Sequence, residues 1–491
     1  MILEKYFSKF RKNIVGINYV FKTPFGNKKL IYTDWTASGR LYGPIEDKIK
    51  NEFGPLIGNT HTETTLTGTA MTRAYHLAKK NIKKHAGAES KDIMLSAGSG
   101  MTGAIVKLQR ILGLIVPEKI SQYTKISESL RPVVFITHME HHSNQTSWLE
   151  TIADVKIINP TEEGLVNLTH LKELLNKYKK RKYKIASVTA GSNVTGIASP
   201  YYEIAKIMHQ NNGLCFVDFA CAAPYVNINM HPKNPLEKLD AIFLSPHKFL
   251  GGPGTSGVLI FDSKLYTNKI PDRPGGGTVT WTNPWGEHQY YKDIELREDG
   301  GTPPFLQTIR TALAIKLKEQ MGVSEIFDRE KEILKILFDG LEKIKGLKIL
   351  AGNIKHRLGV ISFTIDNLHY NLIAKLLNDH YGIQTRGGCA CAGTYGHYLF
   401  NISKKYSKEI THQIDLGDLS VKPGFVRLSL HPTTTNAELK VIIRALVEIS
   451  KNGKTWQKEY IYNNKTNEWI HKKRDKSVEK SVQKLMNLEY N

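Results

Sequence analysis

Cysteine is scarce in this chain: four residues in 491, at positions 215, 221, 389 and 391. So few thiols exclude a disulfide scaffold and fit a reducing compartment. Long apolar runs are missing as well. None reaches the length of a membrane-spanning helix. Met1 to Arg11 carries charges around no apolar centre, unlike a secretory signal. The expected location is the cytoplasm, with no membrane partner. Acidic residues are in deficit, 46 against 68 lysines and arginines, which leaves a formal charge of +22. The excess runs through the whole chain and thickens at 451–491, with Lys472, Lys473, Arg474, Lys476 and Lys480. Such a charge permits contact with nucleic acid. Yet there is no stripe of basic and aromatic residues, no zinc finger and no RNA-binding motif. Solvated lysine-rich surfaces account for the charge, and nucleic acid is not an expected partner. Internal repeats and low-complexity tracts are also lacking.

What is present is an ordinary globular composition, 41% hydrophobic and 23% charged, in a chain long enough for two or three domains. From about residue 31 to 265 short apolar runs alternate with helical patterns. Strands are predicted at 92–96, 133–137, 155–158, 185–189, 214–218, 241–245 and 258–261. Helices are predicted at 100–112, 168–178 and 201–210. That alternation predicts an α/β fold with a mostly parallel, doubly wound sheet. Residues 271–304, rich in Gly, Pro and Trp, read as a long ordered loop. A helix follows at about 305–321, and a second αβ region runs to about 450. The expected division is an N-terminal arm (1–30), a large domain (31–304), a small C-terminal domain (305–450) and a basic tail (451–491) that reads as an added helix or an extension.

Polar and glycine clusters follow one predicted strand after another: GSGMTG (98–103), HMEHHSN (138–144), GSNVTG (191–196), Asp218 and SPHK (245–248). Ligands of open α/β sheets bind outside the carboxyl ends of the strands. GSGMTG has GxGxxG spacing, but no clear acidic residue follows on a second strand as a dinucleotide site requires. Its small residues would let backbone N–H groups at a helix start approach a phosphate. In SPHKFLGGPG, Ser245 and His247 could hydrogen-bond that phosphate, and Lys248, if neutral, could condense with an aldehyde. The S-x-x-K spacing also fits penicillin-binding enzymes, but the S-D-N and K-T-G partners are absent. Asp218 ends the apolar run LCFVD. A carboxylate there needs a partner, either a helix N-terminus that it caps or a protonated pyridine nitrogen. His138, His141 and His142 do not have the spacing of a standard ligand set on one helix face, and no metal is expected. One flat imidazole could stack on a flat ring. Cys389 and Cys391 follow Arg386 in a glycine-rich turn, which suggests a reactive thiolate. A zinc site completed by His397 would still lack a ligand.

Together YTDWTASG, MEHHSN, GSNVTG, SPHKFLGGPGTSGV, PGGGTV, EDGGTP and IQTRGGCACAG resemble the class V aminotransferase group of fold-type I enzymes, which use pyridoxal phosphate (PLP). Within it they are most similar to the cysteine desulfurases and selenocysteine lyases. The resemblance runs from about Tyr32 to Leu446. It implies a large domain with a mostly parallel seven-stranded sheet flanked by helices, a smaller C-terminal α+β domain, and a homodimer. It also implies that Lys248 carries the cofactor and moves protons, that Asp218 pairs with the pyridine nitrogen, and that His141 stacks on the ring. Gly100, Met101, Ser245 and His247 would hold the phosphate, and Thr278 would reach the phosphate of a neighbouring subunit. Asn193 and Arg427, helped by Arg386, would bind the substrate carboxylate. Cys391 would accept sulfur from L-cysteine, giving alanine and an enzyme persulfide for a sulfur-acceptor protein. The turn RGGCAC is also similar to that of molybdenum-cofactor sulfurases. An aminotransferase or a lyase of another amino acid would use the same lysine, aspartate and arginine with idle thiols. A nucleic-acid binding protein on a degenerate enzyme fold is a third reading, and the intact lysine–aspartate set argues against it. Two departures stand out. Cys221 occupies the place where the desulfurases usually keep a glutamine, and the extra thiol Cys389 leaves open which cysteine carries sulfur. The tail has no counterpart in the resemblance.

Overall fold

A computed structural model of the chain describes residues 3–473 and 477–488. At its centre lies a seven-stranded sheet: β1 (Asp92–Ser96), β2 (Val133–Thr137), β3 (Asp154–Ile158), β4 (Lys184–Thr189), β5 (Leu214–Asp218), β6 (Ala241–Leu244) and β7 (Val258–Asp262). Their spatial order is β1-β7-β6-β5-β4-β2-β3. The strands from β6 to β3 run parallel, whereas β7 runs antiparallel to both β1 and β6. The inner strands are buried on both faces, which is why they read as continuous apolar runs. Their alternate residues feed two cores: Val217, Ile242 and Ile260 into one, Phe216, Phe243 and Phe261 into the other. Only β3, on an edge, stays half-exposed along most of its length and tolerates Lys156.

Helix α1 (Met101–Ile111) follows β1 and buries Ile105, Leu108 and Ile111 against the second of these cores. Helix α2 (His142–Leu149) follows β2, and the long α3 (Phe305–Met321) leads out of the first sheet. A second, antiparallel sheet holds β8 (Leu347–Ile349), β9 (Val360–Ile365), β10 (Arg386–Gly388) and β11 (Phe425–Ser429) in the order β8-β9-β11-β10. It has its own core with α4 (Tyr370–Tyr381) and α5 (Asn436–Trp456), built on residues such as Phe363, Leu376, Val426 and Leu446. The segment before the first sheet is stitched to the second: Ile31 and Tyr32 pair parallel with Ile383 and Gln384, and Asp34 bridges to Ser429.

Two regions differ from the sequence reading. The stretch 271–304 is not simply a loop. Val279–Thr282 pairs with His288–Tyr290 around an NPWG turn, and a short helix follows at Ile294–Glu298. Asn283 closes that turn by accepting from the amides of Trp285 and Glu287, and Gly286 supplies φ +89°. Its Gly and Pro content hid three- and four-residue strands. The tail is neither one helix nor an extension. Helix α5 runs on to Trp456, and β12 (Tyr460–Asn463) then pairs with β13 (Glu468–His471) as a hairpin. Helix α6 (Ser477–Leu485) comes after it. Lysine-rich flanks concealed the alternation in YIYN and EWIH. Arg474 and Lys476 lie outside the described residues. No helix among the described residues is long and apolar enough to cross a membrane.

Candidate active site

A cavity of about 400 Å³ opens where β1, β2, β4, β5 and β6 end and the second sheet begins. Of the residues singled out in the sequence, Gly100, Met101, His141, Asn193, Asp218, Ser245, His247, Lys248, Arg386, Cys391 and Arg427 all line it. Thr278 does not. It is buried in its own turn, where its hydroxyl donates to Gly275 O at 2.6 Å.

One end is a backbone cradle. Gly100 caps α1, and the Met101 amide donates to Ser245 Oγ at 2.9 Å. Two glycines pack closely around this cradle. A Cβ on Gly103 would stand 2.8 Å from Ala97 O, and one on Gly257 would stand 2.2 Å from Gly100 O. Amides at a helix start, with a serine and a histidine beside them, make an anion site.

Asp218 stands at the carboxyl end of β5, 4% exposed, and Oδ1 accepts from Ala220 N at 2.8 Å. Burial raises its carboxyl to about 6, against hydrogen bonding from Ala220 and the nearby Lys248. Lys248 sits on the single turn Pro246–Lys248 after β6. Gly39 lets the N-terminal segment cross that turn, since a Cβ there would overlap Phe249 O at 1.9 Å. Burial lowers the pKa of Lys248, while Cys221 and Asp218 pull it up. His141 Nδ1 accepts from Ser143 N at 3.1 Å and so caps α2, which leaves the proton on Nε2. Burial, then the charge of Lys248, holds its pKa down to about 3, so the ring is neutral.

The two neighbouring histidines do other work. His138 is buried and Nε2 donates to Gly164 O at 3.2 Å. His142 ties down the thiol turn: its amide donates to Cys391 O at 2.8 Å, and Nε2 accepts from Gly393 N at 2.9 Å. Asn193 grips the same turn one residue earlier, Nδ2 donating to Ala390 O at 2.7 Å. These bonds hold Ala390 and Cys391 in the left-handed region, at φ +49° and +55°, which non-glycine residues adopt only when their surroundings enforce it.

The register of β10 on β11 places Arg386 directly opposite Arg427, so their side chains share the face that looks into the cavity. Arg427 is 2% exposed. Nη1 donates to Asn193 O at 3.0 Å and Nη2 to Asp34 Oδ1 at 2.6 Å, while Nε has no partner among the described residues. The guanidinium is therefore anchored but not saturated. Asp34 went unread in the sequence, although it is the only charge in YTDWTASG. Glu140 was also missed as an organiser. It is fully enclosed and accepts from Thr137 N, Thr137 Oγ1, Thr189 N and Asn144 Nδ2, which locks the ends of β2 and β4 together. In place of the expected glutamine, Cys221 is 4% exposed and its thiol faces Ser192 O at 3.7 Å.

Breaking the Asp34–Arg427 pair has a measurable consequence. Asp34→Asn leaves a buried guanidinium without its counter-charge and costs about 1–3 kcal/mol of stability. An amino-acid carboxylate then recovers more of that loss than it adds to the wild type. Thermal melts with and without an amino acid should show a lower Tm for the variant and a larger upward shift on addition.

The residues fit PLP, the group that the resemblance implies. Gly100, Met101, Ser245 and His247 would hold its phosphate, Asp218 its ring nitrogen, and neutral His141 its face, with Lys248 at the aldehyde. A carboxylate pushed up by burial at the end of β5 is stabilised by a cationic ring nitrogen, and the start of α1 with Ser245 and His247 beside it offers hydrogen-bond donors to phosphate oxygens.

The family described as aminotransferase class-V matches residues 31–442. A probable cysteine desulfurase of Staphylococcus epidermidis is 27% identical over 380 residues, covering 76% of this chain and 86% of that protein. One of Halalkalibacterium halodurans is 26% identical over 368 residues, with 74% and 84% covered. Among solved structures, the apo cysteine desulfurase of Thermococcus onnurineus superposes with a TM-score of 0.72 at 22% identity, covering 90% of this chain and 98% of that one. A cysteine desulfurase of Escherichia coli gives 0.69 at 19% identity, covering 91% and 98%. The superpositions establish the fold: a mostly parallel seven-stranded sheet flanked by helices, as in fold-type I PLP enzymes.

Proposed function

The chain belongs to the class-V aminotransferase family, whose members depend on PLP, and from that premise we propose that it removes sulfur from L-cysteine, giving alanine and a persulfide on Cys391. The observation that supports this reading is that Cys391 lines the same cavity as Lys248, Asp218 and Arg427. An aminotransferase has no use for a thiol held there in a left-handed turn.

Arg427, with Arg386 beside it, binds the substrate carboxylate through the donors that Asp34 and Asn193 leave free. Bound PLP supplies the electron sink for charge left on the substrate's α-carbon. Lys248, its pKa lowered by burial, takes the α-proton on Nζ and returns a proton to carbon. His141, kept neutral, would hold one face of the bound cofactor. Cys391, as thiolate, attacks the sulfur of the substrate. The new S–S bond forms as the Cβ–S bond breaks, the carbon keeps that electron pair, and the β-carbon takes up a proton.

The working form is a homodimer in the cytoplasm that serves a sulfur-acceptor protein. Support for the dimer comes from the hairpin beside Thr278, which carries Trp281 and Trp285 at 46% and 83% exposure, a large apolar surface to leave uncovered. We assign Thr278 to the partner subunit's phosphate.

One observation favours a different amino acid as substrate. The thiol of Cys221 cannot make the hydrogen bond of the glutamine it replaces. Purified holoenzyme given L-cysteine and a reducing thiol should release alanine and sulfide in equal amounts. Turnover of another amino acid without release of sulfur would overturn the proposal in favour of a transaminase or a lyase.

A further inference from the structure

We propose that Cys389 is a second sulfur station, which takes the sulfane sulfur from Cys391 and presents it in a separate outer cavity. This rests on the desulfurase reading and extends it.

The outer cavity measures about 860 Å³. Cys391, Ala390 and Arg386 line both cavities, whereas Cys389 lines the outer one alone. The thiol turn is thus the partition, with one sulfur at the inner chamber and a second reaching only the outer. A wall of the outer cavity is made by the hairpin of β12 and β13, which follows the end of the family match at residue 442. That wall is fastened to α4. Asn371 Nδ2 donates to Asn467 O at 2.5 Å, and Asn467 Nδ2 donates to Tyr370 Oη at 2.6 Å. Asn467 itself takes φ +60° at the end of the hairpin turn. Trp469 on this wall keeps a buried Nε1–H without a partner among the described residues.

Cys391 stands at the boundary of the two cavities, whereas Cys389 opens to the outer one alone. The backbone of their turn is held from both sides, by Asn193 on Ala390 O and by His142 on Cys391 O, which fixes the spacing of the two thiols. Cys389 lies two residues away, and two trans peptide steps keep the Cα atoms within about 7.6 Å. Side chains that close can exchange a sulfur atom. The thiolate of Cys389 attacks the outer sulfur of the Cys391 persulfide. One S–S bond forms at Cys389, the S–S bond at Cys391 breaks, and Cys391 leaves as thiolate and takes up the proton that Cys389 gave up. The oxidation level of the pair is unchanged, so no external oxidant or reductant is needed. A thiol entering the outer cavity then repeats the exchange on Cys389.

The test places the sulfur. Holoenzyme is mixed with substoichiometric L-cysteine and quenched by alkylation. The peptide carrying residues 389 and 391 is then fragmented to locate the added sulfur, in wild type, Cys389→Ser and Cys389→Ala. Wild type should carry it on both cysteines, shifting toward Cys389 with time. Both variants should hold it on Cys391 and pass it to dithiothreitol at least about tenfold more slowly. Sulfur found only on Cys391 in wild type, with transfer unchanged in the variants, overturns the relay and leaves the desulfurase reading intact. No alanine from L-cysteine in wild type overturns both.

Discussion

Lys248→Ala should reduce turnover of L-cysteine by a thousandfold or more, in line with the roughly 10²–10⁴ that a positioned proton carrier contributes and the further loss of the covalent anchor. The loss should be chemical rather than structural. The cavity walls around Lys248 are held by other bonds: Gly39 N to His247 O at 2.9 Å, Met101 N to Ser245 Oγ, and the Glu140 cluster. The variant should therefore melt near the wild-type temperature and still bind PLP through the cradle and Asp218. Borohydride reduction followed by peptide mapping should find PLP fixed at position 248 in wild type and nowhere in the variant. A variant that retains turnover, or a wild type labelled elsewhere, would remove the lysine from its role.

Cys391→Ser should be nearly as damaging to sulfur release, by roughly a thousandfold, because a hydroxyl is a far poorer nucleophile at neutral pH than a thiolate. Serine differs by one atom and accepts the same φ of +55°, so the bonds from His142 and Asn193 to the turn should survive. The informative contrast is between steps. Lys248 and Asp218 are untouched, so exchange of the substrate α-proton with solvent should continue while sulfide formation stops. Full sulfide release from Cys391→Ser would assign the first sulfur transfer to another thiol. Unchanged turnover of some other amino acid would favour the aminotransferase reading.

Much of this arrangement was legible in the sequence, because buried parallel strands announce themselves as apolar runs and their functional residues follow at once. That phase relation singled out Asp218 and Lys248, and the resemblance supplied their roles. What stayed hidden depends on pairing rather than pattern. The antiparallel course of β7 leaves no mark in VLIFD. Arg386 meets Arg427 only through the register of two strands almost forty residues apart. Asp34 looked like one polar residue among several until the second sheet brought Arg427 to it. Glu140 sat within a histidine-rich string that invited a question about metals, and its part as a buried acceptor appears only once β2 and β4 lie side by side. The hairpins at 279–290 and 460–471 were masked by Gly, Pro and Lys, residues that depress strand propensity when read one by one.

The bond between Asp34 and Arg427 spans 393 positions, and that distance has a bearing on how the molecule is made. A nascent chain on the ribosome can assemble β1 to β7 long before residue 427 has been synthesised. During that interval the inner chamber has its floor but lacks Arg427, and Asp34 waits at its rim without that partner. Release-arrested chains ending before Phe425 should capture PLP yet fail to retain an amino acid, so competence for the cofactor would precede competence for the substrate during translation.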